Sequence, residues 1–293
     1  MRSLLPKGDR AVPAPGRRVG PTSGLRSGLI VSVLLLFATA LPAAASRLRF
    51  LATADSGSGD ANQRALGLAM ARLHQRHPVD LLIMAGDNIY PSGDVALLER
   101  TVRRPYRELI EAGVPIHAVL GNHDIRTANG EGQLKEPLLG MAGRWYQLRR
   151  GPVDLFMIDT NSNAAWQQQL PWLQSALAAS RAPWKVVVGH HPLISSGLYG
   201  DDPAGLRRLA PLFQRYGVQL YINGHEHHYE RSQPINGTTF LIVGGGGAHL
   251  RPVQAGPRSA RALSAFSFAE LEATDSTLTI RGWDCLLYTS PSP

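Results

Sequence analysis

The chain has 293 residues, a formal net charge of +8 and a single cysteine, Cys285. One cysteine excludes a disulfide framework and a cysteine-based metal site, so a bound metal would need His, Asp, Asn or Tyr ligands. Residues 1–45 contain six of the basic residues and one acid, and the rest of the chain carries a net charge of only +3. That charge, without a basic run interleaved with aromatic residues, gives no argument for a nucleic-acid partner.

The first 45 residues have the pattern of a secretory signal peptide. Residues 1–27 are basic, an apolar run of 14 residues extends from Gly28 to Leu41, and Pro-Ala-Ala-Ala-Ser follows it. The run is short for a membrane span, which needs about 20 residues. We predict cleavage near Ala45, a secreted or periplasmic location, and no stable membrane association after cleavage. An uncleaved anchor is the alternative.

Residues 46–284 alternate between apolar strands and segments with helical periodicity. Helices are predicted at residues 61–77, 95–111, 166–180 and 203–216. Strands are predicted at residues 47–54, 79–85, 114–120, 144–150, 153–158, 184–188, 218–222, 238–243, 264–272 and 276–283. This order predicts a single domain of mixed α/β architecture with a late antiparallel sheet, and a long loop at residues 125–143. Residues 285–293 have no pattern of their own and are predicted to be a non-native or disordered tail.

Five predicted strands end in residues that can bind metals or transfer protons. The first three ends carry Asp55, then Asp87 and Tyr90, then Asn122, His123 and Asp124. The last two carry His190 and His191, then His225 and His227. Each end alone suits an ordinary polar turn. Because ligands bind outside the carboxyl ends of strands in open α/β sheets, all five together predict one shared site.

The predicted site offers more donor groups than one metal ion requires. Zinc and similar ions commonly take three protein ligands and a water molecule. Two carboxylates, a phenol, an amide oxygen and several imidazoles suit two metal ions that share one carboxylate. Two metal ions about 3.5–4 Å apart are the arrangement that stabilises both the attacking and the leaving oxygen in phosphoryl transfer.

The five segments resemble the purple acid phosphatases, the branch of the calcineurin-like metallophosphoesterase superfamily that includes the tartrate-resistant acid phosphatases. The usual first superfamily motif, Asp-x-His, is Asp55-Ser56-Gly57 here, and the usual second motif, Gly-Asp-x-x-Asp, is Gly86-Asp87-Asn88-Ile89-Tyr90. Both departures are typical of purple acid phosphatases. The resemblance extends from about Leu48 to Gly247 and implies an α/β fold, a metallophosphoesterase-type β-sandwich flanked by helices in α/β/β/α layers.

The resemblance also implies a role for each of these residues. Fe(III) would be bound by Asp55, Tyr90 and His227. A divalent Fe, Zn or Mn ion would be bound by Asn122, His190 and His225, and Asp87 would bridge the two metals. His123 would contact the phosphate and assist the leaving oxygen. Apart from the resemblance, Asp124 could orient His123 or equally stabilise its own turn. His191 is expected to have a structural role, because neighbouring residues on a turn point apart.

These roles predict a secreted acid phosphatase that hydrolyses small phosphate monoesters with a metal-bound hydroxide. The same dinuclear centre would also serve a phosphodiesterase or a nucleotide or pyrophosphate hydrolase, because a fold does not fix a substrate. A non-catalytic metal- or phosphate-binding protein is a further alternative, but it would have no need of an acid at His123. The rim loops, residues 125–143 and 195–202, are expected to shape substrate choice.

Overall fold

The computed structural model describes residues 46–286 and 289–290, which belong to one compact unit. The predicted signal peptide, residues 1–45, lies outside the described residues. Within the described part, no helix is long and apolar enough to cross a bilayer.

The strands form two sheets of mixed strand direction. In chain order the strands are β1 Leu48–Thr53, β2 Leu81–Met84, β3 Ile116–Ala118, β4 Tyr146–Arg150, β5 Val153–Met157, β6 Trp184–Val188, β7 Leu220–Asn223, β8 Tyr229–Ser232, β9 Thr239–Val243, β10 Ser259–Leu263, β11 Ser267–Ala273, β12 Leu278–Asp284 and β13 Thr289–Ser290. The six-stranded sheet has the order β13-β12-β11-β1-β2-β3, and the seven-stranded sheet has the order β10-β8-β9-β7-β6-β5-β4. Strands β1, β2 and β3 are parallel, as are β5, β6, β7 and β9, so their carboxyl ends meet at one edge of each sheet.

Helices cover the outer faces of the two sheets. The α-helices are α1 Ala61–Arg76, α2 Arg107–Glu111, α3 Glu131–Leu134, α4 Trp166–Ala179 and α5 Pro203–Tyr216. Helix α1 begins where the Asp60 side chain accepts a hydrogen bond from the Gln63 N–H, and α5 begins at the corresponding cap, Asp202. These caps satisfy N–H groups that have no partner inside the helix.

Three apolar clusters hold the layers together. The inner faces of the two sheets meet in one cluster, in which Phe50 and Ile83 pack with Leu155 and Val188. A second cluster lies between the six-stranded sheet and α1 and α2, and a third lies between the seven-stranded sheet and α4 and α5. The predicted α/β/β/α sandwich is therefore confirmed.

The segment 95–111 is not the single helix that its periodicity predicts. It contains a 3-10 turn at Val95–Leu97, a π-helical turn at Glu99–Arg103, and then α2. Pro105 lies between the last two and has no N–H to donate to the Thr101 carbonyl, which accepts from the Gln63 side chain instead.

Other differences from the predicted elements lie in short segments. Residues 125–143 contain α3 and several 3-10 turns rather than a wholly irregular loop. Strands β8 and β10 had no prediction, and their pairing with each other joins distant parts of the chain. Thr289 and Ser290, within the segment 285–293 that is predicted to be a non-native or disordered tail, pair with β12. The two residues can add to the sheet there because β12 otherwise has one side open.

Candidate metal centre

The seven predicted metal ligands all lie beyond the carboxyl ends of parallel strands. Those from the six-stranded sheet are Asp55, Asp87, Tyr90 and Asn122, and those from the seven-stranded sheet are His190, His225 and His227. Because the two sheets pack face to face, these edges meet and bring both sets of side chains together.

The Tyr90 hydroxyl lies at the middle of one group of donors. Its oxygen is 3.2 Å from Asp55 Oδ1, 3.0 Å from Asp87 Oδ2 and 3.4 Å from His227 Nε2. His227 Nε2 is in turn 3.4 Å from Asp55 Oδ1. Two carboxylates, a phenol and an imidazole thus converge on one small region.

A second group of donors surrounds Asn122. Its Oδ1 atom is 3.0 Å from His190 Nε2 and 2.8 Å from His225 Nδ1. His190 Nε2 is also 3.5 Å from Asp87 Oδ2, the same atom that faces Tyr90. Asp87 Oδ2 therefore borders both groups of donors.

Each of the buried side chains is fixed through the atom that points away from the centre. Asp55 Oδ2 accepts from the His225 N–H at 2.8 Å, and Asp87 Oδ1 accepts from the His123 N–H at 2.8 Å. Nδ1 of His190 is 3.0 Å from the Ala85 carbonyl, and Nδ1 of His227 is 2.7 Å from the His249 carbonyl. The opposite oxygen or Nε2 atom is left to face the centre, which is how outer contacts orient metal ligands.

The backbone is strained at three of these residues. Asp55, Asp87 and His225 have φ values of 54°, 51° and 67°, a conformation that non-glycine residues rarely adopt. Glycines allow close packing here, because a Cβ atom at Gly121 would lie 2.2 Å from Asp87 Oδ1 and one at Gly224 would lie 2.4 Å from Asp55 Oδ2. This explains why glycine precedes Asn122 and His225.

Gly57, which replaces the usual histidine of the first motif, also has a packing reason. A Cβ atom at this position would lie 2.2 Å from the Asn88 carbonyl oxygen. The Gly57 carbonyl accepts a hydrogen bond from the Tyr90 N–H at 2.9 Å. The segment that carries Asp55 and the segment that carries Tyr90 therefore touch along their backbones.

The electrostatics of the centre favour bound cations. Burial acts to raise the pKa of Asp87, but His190 and the His123 N–H outweigh it and hold that pKa well below its usual range. Burial, followed by the Asp55 and Asp87 carboxylates, raises the pKa of the Tyr90 phenol far above its usual range. A phenolate at this position would therefore need a nearby cation of high charge, and the carboxylate and imidazole donors around it can bind one.

His191 lies closer to the centre than the sequence indicates. Its ring centroid is 4.9 Å from that of His190 and 4.7 Å from that of His225, and the three residues form a group that could bind a metal ion. Its Nδ1 is 2.9 Å from the Thr160 hydroxyl, and burial, followed by the charge of His190, lowers its pKa to about 3. The two adjacent histidines were the only indication in the sequence that His191 lies near the centre. It was set aside because neighbouring residues on a turn were expected to point apart.

His123 lies at the edge of the centre. Its Nε2 is 4.0 Å from Asp87 Oδ2, and its ring centroid is 4.4 Å from that of Tyr90. Nδ1 is 2.8 Å from the Pro91 carbonyl, so Nδ1–H donates there and Nε2 remains available. The exposed Arg126 donates to Nε2 at 3.1 Å. The only indication of this contact in the sequence is that Arg126 lies three residues after His123.

Asp124 points away from the His123 ring. Its carboxylate accepts hydrogen bonds from the N–H groups of Gly121, Asn88 and Ile89 and from the side chains of Asn88 and Gln133. Burial and the neighbouring Asp87 raise its pKa to about 7, against the effect of these donors. These contacts favour the turn-stabilising interpretation of Asp124 over a role in orienting His123.

Comparisons with known proteins agree with this arrangement of motifs. Residues 48–229 match the family model for calcineurin-like phosphoesterases. Purple acid phosphatase 7 of Arabidopsis thaliana is 30% identical over 70% of this chain and 73% of its own length. Purple acid phosphatase 3 of the same plant is also 30% identical, and the alignment covers 68% of this chain but only 63% of that protein.

A solved structure has the same fold. Purple acid phosphatase PPD1 from yellow lupin (Lupinus luteus) seeds superposes with a TM-score of 0.72, at 22% identity, over 84% of this chain and 53% of that chain. At this identity the superposition is evidence for the fold alone.

Proposed function

The chain belongs to the calcineurin-like phosphoesterase family, in its purple acid phosphatase branch, and we propose that it is a dinuclear-metal hydrolase acting on small phosphate monoesters at acid pH. One observation carries the proposal. Asp87 Oδ2 lies 3.0 Å from the Tyr90 hydroxyl and 3.5 Å from His190 Nε2, which supports a carboxylate shared by two metal sites. A protein with one metal ion would not need that arrangement.

The donor chemistry supports a particular division of the metals. Asp55, Tyr90 and His227, with two anionic oxygen donors and one nitrogen, suit a hard trivalent ion such as Fe(III). Asn122, His190 and His225 offer one amide oxygen and two imidazole nitrogens, which suit divalent Fe, Zn or Mn. Bound there, the two cations would supply positive charge to the phosphate and lower the pKa of water, which zinc alone brings from 15.7 to about 7.

Two side chains at the edge of the centre can act on the substrate itself. His123 presents Nε2 toward the centre, and this atom can hold a proton for the leaving oxygen once Arg126, which donates to it here, turns to the phosphate. Arg126 places a guanidinium group 3.1 Å from the same atom and can donate to phosphate oxygens. Because Nδ1 of His123 is held by the Pro91 carbonyl, the ring is oriented before substrate arrives.

A diester hydrolase is the second candidate, because a cavity of about 490 Å³ opens beside the centre. His191 and His225 line one part of it, so a second ester group could extend into this space. The enzyme's preference between monoesters and diesters therefore depends on whether the cavity binds the second ester group of a diester.

Metal analysis combined with rate measurements tests the proposal. We expect two metal ions per chain, one of them iron, and a higher kcat/KM for a monoester such as 4-nitrophenyl phosphate than for bis(4-nitrophenyl) phosphate. A preference for the diester would favour the second candidate. A fully folded protein that binds metal but hydrolyses neither compound would contradict both.

We further propose that the protein acts outside the cytoplasm, in a secreted or periplasmic state. The basic and apolar pattern of residues 1–45 supports this. N-terminal sequencing of protein recovered from the medium or periplasm should begin near Ser46, and a chain retained intact in the cell would contradict export.

A further inference from the structure

The cavity beside the centre has the size of a ligand site. Its volume of about 490 Å³ falls in the range of 300–1,000 Å³ that is usual for small-molecule pockets. His191 and His225 line its inner part, and Trp166 and Arg208 line it as well. The cavity is therefore continuous with the candidate metal centre and extends away from it.

A stacked pair of an aromatic ring and a guanidinium group lines the cavity. Trp166 is the first residue of α4, and Arg208 lies on α5. The Arg208 guanidinium carbon is 4.2 Å from the centroid of the Trp166 ring. Both tryptophan rings and guanidinium planes stack on planar ligands.

A second aromatic ring, that of Tyr199, lines the cavity at His225. The two ring centroids are 4.7 Å apart, and the ring planes are inclined by 21°. The Tyr199 N–H donates to the fully buried Glu226 carboxylate at 2.6 Å, and the Arg251 guanidinium carbon is 4.8 Å from the Tyr199 ring centroid. Tyr199 is therefore held in place although more than half of its surface is exposed.

Among the described residues, one guanidinium group that lines the cavity, that of Arg208, is not paired with a carboxylate. Arg258 contacts both oxygens of Asp201 at 2.8 Å, and Asp202 caps the start of α5. Arg208 has no carboxylate partner among the residues that the structure describes. The cavity thus offers flat surfaces and a guanidinium group without a carboxylate partner.

We propose that this cavity, which we call the Trp166 cavity, binds the leaving group of the phosphate ester and selects esters whose leaving group carries a planar aromatic ring, such as a nucleobase. The inference rests on the proposed phosphatase function for the position of the phosphate. The phosphate would lie at the candidate centre near His225, and the ring would stack on the surface formed by Trp166 and Arg208. Neither residue belongs to the candidate metal centre, so they can change selectivity without changing the metal ligands.

A matched pair of substrates tests the inference. Adenosine 5′-monophosphate and ribose 5-phosphate have the same type of leaving oxygen and differ mainly in the base. We expect kcat/KM to favour the nucleotide by about ten-fold, the usual scale for one stacked base. Trp166→Ala should reduce that ratio to near one, and Trp166→Phe should retain part of it. Arg207→Ala, an exposed change on α5 outside the cavity, should leave the ratio as in the wild type.

A binding measurement separates this inference from the proposed function. Adenosine, which has the ring but no phosphate, should quench tryptophan fluorescence in the wild type and much less in Trp166→Phe. Equal kcat/KM values for the two substrates in the wild type, or a ratio that Trp166→Ala leaves unchanged, would overturn the inference. Hydrolysis of neither substrate, together with Trp166-dependent binding of adenosine, would instead overturn the phosphatase proposal and leave ring binding supported.

Discussion

At the scale of single residues, Asp87 is the side chain on which the proposed centre depends most. Its two oxygens have separate partners: Oδ1 accepts from the His123 N–H, and Oδ2 faces both Tyr90 and His190. We predict that Asp87→Ala reduces the bound metal from two ions per chain to well below one, as measured by elemental analysis. Asp275→Ala, an exposed change remote from the centre, is the control. A variant at Asp87 that keeps two ions would show that the carboxylate does not bridge.

Tyr90 is the residue that decides the proposed identity of one metal. Its phenol is buried between two carboxylates that raise its pKa, so a phenolate there requires a strongly polarising cation. We predict a visible absorption band from iron–phenolate charge transfer, and Tyr90→Phe should abolish the band while the fold is retained. An active wild-type enzyme that is colourless and free of iron would contradict the assignment of Fe(III).

A substitution of His123 tests the proposed acid–base chemistry rather than metal binding. The ring of His123 hydrogen-bonds to the Pro91 carbonyl and Arg126, and its backbone N–H donates to the predicted metal ligand Asp87. We predict that His123→Ala keeps the metal content but lowers kcat by about 10²–10⁴-fold, the usual loss when acid–base assistance is removed. Unchanged turnover would remove this role from His123.

At the scale of elements, Glu230 on β8 links three segments. Its carboxylate accepts from the Ser196 N–H at 2.8 Å and from the Ser259 hydroxyl, and it lies 3.3 Å from His228 Nε2. Burial alone would raise its pKa, but these contacts lower it from 4.5 to about 2. Because the folded-state pKa is depressed, the stability that Glu230 provides is present above about pH 4.5 and is lost as the pH falls toward 2.

This linkage predicts the acid limb of the stability curve. Glu230→Gln should lower the unfolding free energy at pH 6 by up to about 3 kcal/mol, and its stability should depend less on pH between 4.5 and 2 than that of the wild type. Urea titrations at a series of pH values measure both effects. Glu111→Gln, an exposed change on α2, is the control. Parallel acid limbs for wild type and Glu230→Gln would refute the linkage.

The most accurate predictions from the sequence were of elements whose ends are set by residues next to them in the chain. Helix α5 extends from Pro203 to Tyr216 as expected, because Asp202 caps its start and Gly217 adopts a positive φ at its end. The strands β8 and β10 were missed because they are short and have no apolar run. The predicted helix at residues 95–111 was wrong because its apolar periodicity did not show the breaks after Leu97 and at Pro105.

The same distinction applies to the centre. The strand ends that carry Asp55, Asp87 and His190 could be predicted, because a polar residue after a buried strand is a local pattern. Contacts such as that of Arg126 with His123, and the position of His191 beside His225, depend on how turns bend. One sequence does not specify those angles, so these residues emerge only from the folded chain.

At the scale of the whole molecule, the proposed metals would join the two sheets. Four of the predicted ligands follow strands of the six-stranded sheet, and three follow strands of the seven-stranded sheet. A ligand that binds only the folded state stabilises it by about 4 kcal/mol at a concentration 1,000 times its dissociation constant. We predict that chelation lowers the thermal midpoint by about 8–16 °C, given the usual shift of about 2–4 °C per kcal/mol for a domain of this size.

Differential scanning calorimetry with and without chelator measures that shift, and restored metal should reverse it. The Asp87→Ala variant is the internal control, because chelator should then have little further effect. A midpoint that chelation leaves unchanged in the wild type would show that metal ions do not hold the sheets together.

The division of the ligands between two sheets also constrains when the centre can mature during biosynthesis. Asp55 is among the first described residues of the chain, whereas His225 and His227 are made some 170 residues later, and β1 itself pairs with β11 near the other end. A nascent chain on the ribosome therefore cannot assemble either proposed metal site until most of the protein has been synthesised. Metal loading would be a late event, and chains that stop before residue 225 would leave the ribosome without a complete site.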